Sequence, residues 1–473
     1  MYPKSVFRVF TVAILFLLVG CSTYNDRTRE MRMHWDIGNV SSASESAIAQ
    51  EKNAPEKDKL LLRLEKGATL RGSGKVQDSI KAFDEAQILI EKYDAEPELN
   101  LTASVAAILA DQTVLDYKGY GYDKIMLDVY QALNRMETRD FDSAAVNLKR
   151  AENHIAYLER RKAERIKKES QAIREAQKNQ GAMAGAKGLA SAEVVAELKK
   201  VYGENYKGDI STQQAKGLYA NPFFYWVAGV YYMNKAVDIA DKNKAADMFR
   251  IGGEVLGNKS VVFAKDFAMA EDFANGKTNL TPMTYVVYET GTAPIREQFK
   301  VSLPIYIAAR NMPHISINFP YLKNKDSFEP NLNILASGKA QTLETIADFD
   351  KIISREFYDE LPSVILKMAM STSAKATAEY FAARAARQAA GDDWAGLLVN
   401  VAGSVYQSFT NNADLRTWST LPKQIKIARF PTPSDSVVVI DGKNVKLAPN
   451  KTNIVFAKKM SKGGTLLLRT FSF

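Results

Sequence analysis

Cys21 is the only cysteine among 473 residues, so no intramolecular disulfide can brace the fold and an apolar core has to hold it. The composition permits such a core. At 46% apolar and 25% charged, the chain has ordinary globular values. Removing a leader of 20 residues leaves 453, enough for two or three domains on a prior of roughly 100–200 residues each.

The setting of that cysteine is informative. Residues 18–22 read Leu-Val-Gly-Cys-Ser and close a short apolar run, Val9–Val19, that begins after Lys4 and Arg8. A charged start, an apolar segment, a small residue and a cysteine make a bacterial lipoprotein signal peptide over residues 1–20. The run is too short to span a bilayer. Cleavage before Cys21 would leave its thiol to carry palmitate-type acyl chains. One chain binds only reversibly, at about 0.8 kcal/mol per buried methylene, whereas two or three anchor stably. Ser22 stands where aspartate would signal inner-membrane retention, so likeness to known lipoproteins implies the outer membrane, periplasmic face. The absence of other thiols suits an oxidising periplasm. The formal net charge of +9 becomes +7 once Lys4 and Arg8 depart. That charge suits anionic lipid or glycan, and export argues against nucleic acid.

Residues 21–56 read as a flexible tether, with Val40-Ser-Ser-Ala-Ser-Glu-Ser and Gln50-Glu-Lys-Asn-Ala-Pro-Glu-Lys burying little. From 57 to 275 the pattern is helical and repetitive. Gly67, Leu70, Ser79, Phe83 and Ala86 fall at the offsets where tetratricopeptide repeats place small, large, small, large and small residues. Ala132, Ala144, Leu148 and Ala151 repeat the register, with Arg139-Asp-Phe-Asp as the turn. The offset of 65 residues between Gly67 and Ala132 is close to two periods of about 34, with Leu101–Leu115 as further helix between them. A looser unit runs from Asn221-Pro-Phe-Phe-Tyr-Trp through Gly229, Tyr232, Ala245 and Phe249. Residues 160–178 hold eight Lys/Arg against three Asp/Glu, which reads as a solvated helix with pairs Glu164–Lys168 and Arg165–Glu169. Residues 179–217, rich in Gly, Ala and Lys, read as a mobile insertion.

Composition shifts near Thr278, and 278–473 reads as a C-terminal α+β domain. Strands are expected at Tyr285–Tyr288, Phe299–Pro304, Ile315–Phe319, Ser436–Ile440, Val445–Leu447, Ile454–Phe456 and Thr465–Phe473, with Asp441-Gly442 as a hairpin turn. Helix is expected from Leu343 to about Ala390, and a short apolar helix from Gly391 through Phe409. The fold class is therefore α+β: a helical tetratricopeptide-like repeat domain followed by an α+β domain with a small antiparallel sheet drawing on both strand groups.

No catalytic pattern emerges. Gly72-Ser-Gly-Lys75 lacks the glycine and the hydroxyl residue of a phosphate loop, having Thr69 and Val76 there, and falls at an expected inter-helix turn. His34, His154 and His314 have no partner ligand at metal spacing, and no cofactor is implied. No Gly-x-Ser-x-Gly elbow is present. Phe223, Tyr225, Trp226 and Tyr232 are candidate groove aromatics, although their helical spacing also suits a core.

Several stretches resemble a family of bacterial outer-membrane lipoproteins with N-terminal tetratricopeptide-like repeats and no established activity. They are Tyr122-Asp-Lys-Ile-Met-Leu with Tyr130-Gln-Ala-Leu-Asn, Asp142-Ser-Ala-Ala-Val-Asn-Leu-Lys-Arg-Ala, Asn221-Pro-Phe, Tyr288-Glu-Thr-Gly-Thr-Ala-Pro and Ala413-Asp-Leu-Arg-Thr-Trp-Ser-Thr-Leu-Pro. Glu289-Thr290-Gly291 replaces the family's Glu-Asn-Gly. Motif residues Glu289, Gly291, Pro294, Asp414, Arg416, Trp418, Leu421 and Pro422 have no assigned role. Gly291 and Pro294 suit a turn, Pro422 suits strand entry, and Asp414–Arg416 suits an ion pair capped by Trp418. The resemblance implies work in cell-envelope assembly. The expectation is a non-enzymatic scaffold whose repeat groove binds envelope proteins. Alternatives are a peptidoglycan- or glycan-binding or processing protein using the C-terminal domain, and a spacer between outer membrane and cell wall. Metabolic labelling with a palmitate analogue should tag the wild type and leave Cys21→Ala unlabelled; equal labelling of both would rule out the anchor.

Overall fold

The computed structural model describes residues 23–96, 101–109, 112–205, 219–304, 315–390 and 412–473. Cys21, His314 and the expected helix after Gly391 lie outside those residues. The region expected to be a tether is instead helical where described: α1 (Tyr24–Arg27), α2 (Arg29–Asp36) and α3 (Val40–Lys52). Thr23 and Asp26 form a capping box on α1, and the Asn39 side chain caps α3. Ala43 and Ala47 are small enough to seat α3 closely on the next helix, and Trp35 is buried against Gly72. Serine and glutamate made this stretch look disordered, but its alanines are strong helix formers that also permit close contact.

The expected helix pairs follow. In α4 (Lys59–Gly72) and α5 (Val76–Ala95), Gly67 faces the Phe83 ring so closely that a Cβ would lie 2.3 Å from it. The turn between them carries Gly74 at φ +79°, a left-handed conformation suited to glycine. The helix α6 (Leu101–Leu109) leaves the stack and packs elsewhere, so α5 meets α7 (Gly121–Glu137) directly. The two matched units are therefore neighbours, and the helix within the expected Leu101–Leu115 segment does not lie between them in the stack. Ala132 of α7 and Ala144, Leu148 and Ala151 of α8 (Phe141–Ala176) are buried in the next pair, with Asp140 capping α8.

The span expected to be a mobile insertion is, as far as Asn205, packed helix: α9 (Gln180–Leu189) and α10 (Ala192–Tyr202). Its glycines serve close approach. The third unit, α11 (Pro222–Lys235) with α12 (Ile239–Val255), again sets glycine on phenylalanine, Gly229 on Phe249, and α13 (Val261–Ala274) closes on Gly252 through Phe263. Among the described residues no helix is long and apolar enough to cross a membrane.

The remaining elements are β1 (Met283–Thr290), β2 (Ile295–Leu303), β3 (Ile315–Lys323), β4 (Ile334–Ala336), β5 (Lys339–Ala340), β6 (Glu344–Asp348), α14 (Phe349–Ala390), β7 (Gln424–Pro431), β8 (Val437–Ile440), β9 (Lys443–Lys446), β10 (Asn453–Lys459) and β11 (Leu467–Ser472). Helix was expected from Leu343, but Glu344–Asp348 pairs with β7 before α14 begins. The main sheet runs β11-β10-β1-β7-β6 and so joins both expected strand groups. Its pairs are antiparallel except β1 with β10. Asp441 and Gly442, both at positive φ, make the expected β8–β9 turn.

Central β1 is buried along its whole length, as two-sided packing requires. Tyr285 and Val287 join a core continuous with the helix pairs, while Val286 and Tyr288 face a second core under β4 and β8. The chain is thus α+β, with tetratricopeptide-like helix pairs followed by small sheets, and one core runs through both.

Helix α9 lies so close to α14 that a Cβ at Gly185 would stand 2.3 Å from the Ala369 carbonyl oxygen. Gly185→Ala should therefore cost about 1–3 kcal/mol by overpacking, read as a lower denaturant midpoint with the folded spectrum retained. An unchanged midpoint would show that these helices do not touch there.

Candidate functional site

The motif segments, far apart in sequence, converge. Residues 413–422 run as an extended strap over α4 and α7, the first helices of their pairs. Trp418 is fully buried, its ring set edge-on against Phe83 at 6.0 Å and Tyr130 at 5.9 Å, and its Nε1 donates to Thr420 at 2.9 Å. Beside it the Glu65 carboxylate accepts from Ser419 N (2.7 Å) and Oγ (2.6 Å) and from Thr420 N (3.2 Å) and Oγ1 (2.5 Å). Burial still raises the pKa of Glu65, because those donors only partly replace water.

Arg416 clamps the other end of the strap. Its Nε and Nη2 donate to the Asp414 carboxylate at 2.9 and 2.7 Å, and Nη1 donates to Asp58 at 3.2 Å and to the Leu115 carbonyl at 2.9 Å. The expected Asp414–Arg416 pair forms, but the ring against the guanidinium is Tyr117, not Trp418. Tyr122 Oη lies 3.2 Å from Thr417 Oγ1. The strap also ties to the β1–β2 turn, with Ala293 N donating to Leu421 O at 2.8 Å and Lys423 N to Thr290 O at 3.0 Å. Gly291 has φ +66°, and a Cβ there would meet Lys423 at 2.8 Å. Leu421, Pro422 and Pro294 are buried alongside. Glu289 is buried and pairs with Lys458 at 2.7 Å. These motif residues hold helices to sheet, and Asp414 and Arg416 at one end of the strap also line an open cleft.

The candidate groove aromatics do not form a groove. Phe223 and Trp226 are buried and stack at 6.1 Å, and Trp226 meets Tyr285 of β1 edge-on at 5.3 Å. Trp226 Nε1 and Tyr285 Oη both donate to buried Asp266. Tyr225 and Tyr232 are half-buried, the latter under Lys244 at 4.7 Å. The face a repeat stack offers a peptide is here filled by the chain's own strap and sheet.

An open cleft of about 690 Å³ lies beside the strap, between α8 and α14. Several charges of residues 160–178 turn toward it, while Arg161 and Glu164 pair within the helix at 3.5 Å. Arg165 pairs with Glu360 at 2.6 Å, Lys162 with Asp359 at 2.8 Å, and Glu169 with Lys367. Tyr117, Tyr120, Tyr157 and Tyr219 line the wall. At its floor Glu356 accepts from the amides of Gly121 (2.7 Å) and Tyr122 (3.2 Å), the first turn of α7. Burial, reinforced by the neighbouring Glu360 charge, pushes Glu356 up to about 8. Burial also opposes ionisation of Glu360, but Arg165 outweighs it and holds that carboxyl low. Asp123, which accepts from Tyr117 Oη and Tyr120 N, is raised by burial to about 7. Sequence reading missed this cleft, since the four-residue spacing of Glu356 and Glu360 was its only local trace. Among the described residues no group of three His, Cys, Asp or Glu is placed to hold a metal, and His154 pairs with Asp128 at 2.9 Å.

No family model matches this chain, and no curated protein does. Among solved structures, a tetratricopeptide repeat protein from Parabacteroides merdae is similar at 16% identity, over 52% of this chain and 98% of that one, with a TM-score of 0.14. A superposition that loose supports no inference, so the repeat-like character stands on the helix packing described above.

Trp418→Ala should cost about 3–5 kcal/mol, as for other buried aromatic truncations, measured by denaturant unfolding. A loss below 1 kcal/mol would mean the strap is not seated. Glu356 keeps its proton to about 8 in the fold, whereas an unfolded chain releases it near 4.5, so the folded state binds more protons between those values. Stability should therefore fall as pH rises through that window. Glu356→Gln, neutral throughout, should flatten the fall when unfolding midpoints at pH 5 and pH 8 are compared; an identical slope would contradict it.

Proposed function

We propose that this is a lipoprotein anchored through Cys21 in the outer membrane, facing the periplasm and acting as a non-enzymatic scaffold in cell-envelope assembly or maintenance. The observation that carries the scaffold reading is the self-filled repeat face. A helix stack locked by its own strap is a rigid body, and one open recess beside it is the cleft of about 690 Å³. Tyrosines and arginines are side chains enriched at protein interfaces, and both signs of charge are present to set register. The occupant under this reading is a segment of another envelope protein. Helix α1 begins at Tyr24, so acylation at Cys21 would hold the folded body within about 10 Å of the lipid surface.

A second reading is favoured by one observation. A carboxylic acid that stays protonated near neutrality beside an ionised carboxylate, among tyrosines, is the pairing used in glycan cleavage. Against it, Glu356 is committed to backbone amides and Glu360 to Arg165.

Mild cross-linking in cells should recover defined envelope proteins with the wild type, and charge reversal at half-buried Arg161 and exposed Lys168 should remove them. The scaffold reading fails if no partner is captured, or if the reversed form captures the same set. Release of soluble fragments from purified sacculi, lost in Glu356→Gln, would instead establish the glycan reading. Sedimentation with sacculi without cleavage would favour a spacer.

A further inference from the structure

A second, smaller recess of about 30 Å³ sits at the seam where α4 and α7 meet β1, β10 and β11. It has room for one or two water-sized species and none for a sugar or peptide. Its wall brings together three cations, Arg71, Lys458 and Arg469. Two carboxylates face them: Glu289, 2.7 Å from Lys458, and Glu137, 3.7 Å from Arg71 and 3.5 Å from Arg469. One positive charge is left over in a partly buried place, where an uncompensated charge carries a cost.

The donors are only partly spent as well. Arg71 Nη2 is buried without a hydrogen-bond partner, Arg469 Nη1 has only the Glu137 carboxylate oxygen at 3.5 Å, itself without a hydrogen bond, and the Tyr130 hydroxyl has Glu289 beside it. The Arg71 guanidinium is pinned between the Tyr130 and Phe456 rings, at 5.5 and 4.9 Å, and cannot swing out to water. We propose that this recess binds one small monovalent anion of the halide class, held by Arg71, Arg469 and Tyr130 and joining the helix stack to the sheet. Crowding of like charge acts in the same direction. Burial, then the neighbouring Arg71, lowers Arg469 to about 10, and burial lowers Lys458 despite Glu289. An anion relieves both. A neutral water could satisfy the donors but would leave the extra charge. Glu289, a motif residue without an assigned role, orients Lys458 at the rim.

Crystals of the folded protein soaked in sodium bromide should show an anomalous peak between Arg71 and Arg469. Melting in sodium chloride should exceed melting in sodium gluconate at equal ionic strength by about 2–4 °C. Arg469→Met, at a half-buried position on an edge strand, should abolish that difference even if its own melting temperature rises through loss of like-charge repulsion. Arg71→Met should do the same if it folds. Absence of a bromide peak, bromide confined to the surface, or a chloride effect that survives in Arg469→Met would overturn the proposal.

Discussion

Glu65 is the contact on which the architecture turns. A carboxylate with no exposure to solvent, on the first helix of a repeat pair, takes backbone and hydroxyl donors from two consecutive residues, Ser419 and Thr420. Neither partner would be tolerable alone. The carboxylate would be buried without donors, and the strap's amides would have no carbonyl to meet. Once joined, they fix the register of the strap, and that register places Trp418 between Phe83 and Tyr130 and Arg416 over Asp58.

From that contact follows the odd use of the repeat stack. Helix pairs of this kind normally present an extended surface for a partner. Here the same surface is spent inside the molecule, because the five-stranded sheet and its leading strap pack on it and share its core. Whatever this protein binds meets a different face. The cleft between α8 and α14 is open where the seat of Trp418 is closed, and its walls are ion pairs and tyrosines, with Asp414 and Arg416 of the strap among them.

Much of the fold could be read from local pattern. Gly67 with Phe83 and Gly229 with Phe249 signalled helix pairs because only a missing side chain lets one helix accept the other's ring. Asp441-Gly442 signalled a hairpin because both residues must take positive φ. Failures came where one composition serves two ends. Serine- and alanine-rich residues 40–49 look disordered yet make a packed helix, and glycine-rich residues 180–189 look mobile yet form a close helix contact. Arg165 and Lys162 had ion-pair partners available on their own helix, but took partners on α14 that no local spacing reveals.

By itself the sequence determined most of the elements and their small-on-large helix pairing, because these depend on residues a few positions apart. Tertiary structure alone decided that Glu65 would meet Ser419, that Glu356 would cap α7, and that Arg71 would face Arg469. Each of these joins residues more than 200 positions apart, and burial, which sets their energetics, is a property of the folded whole.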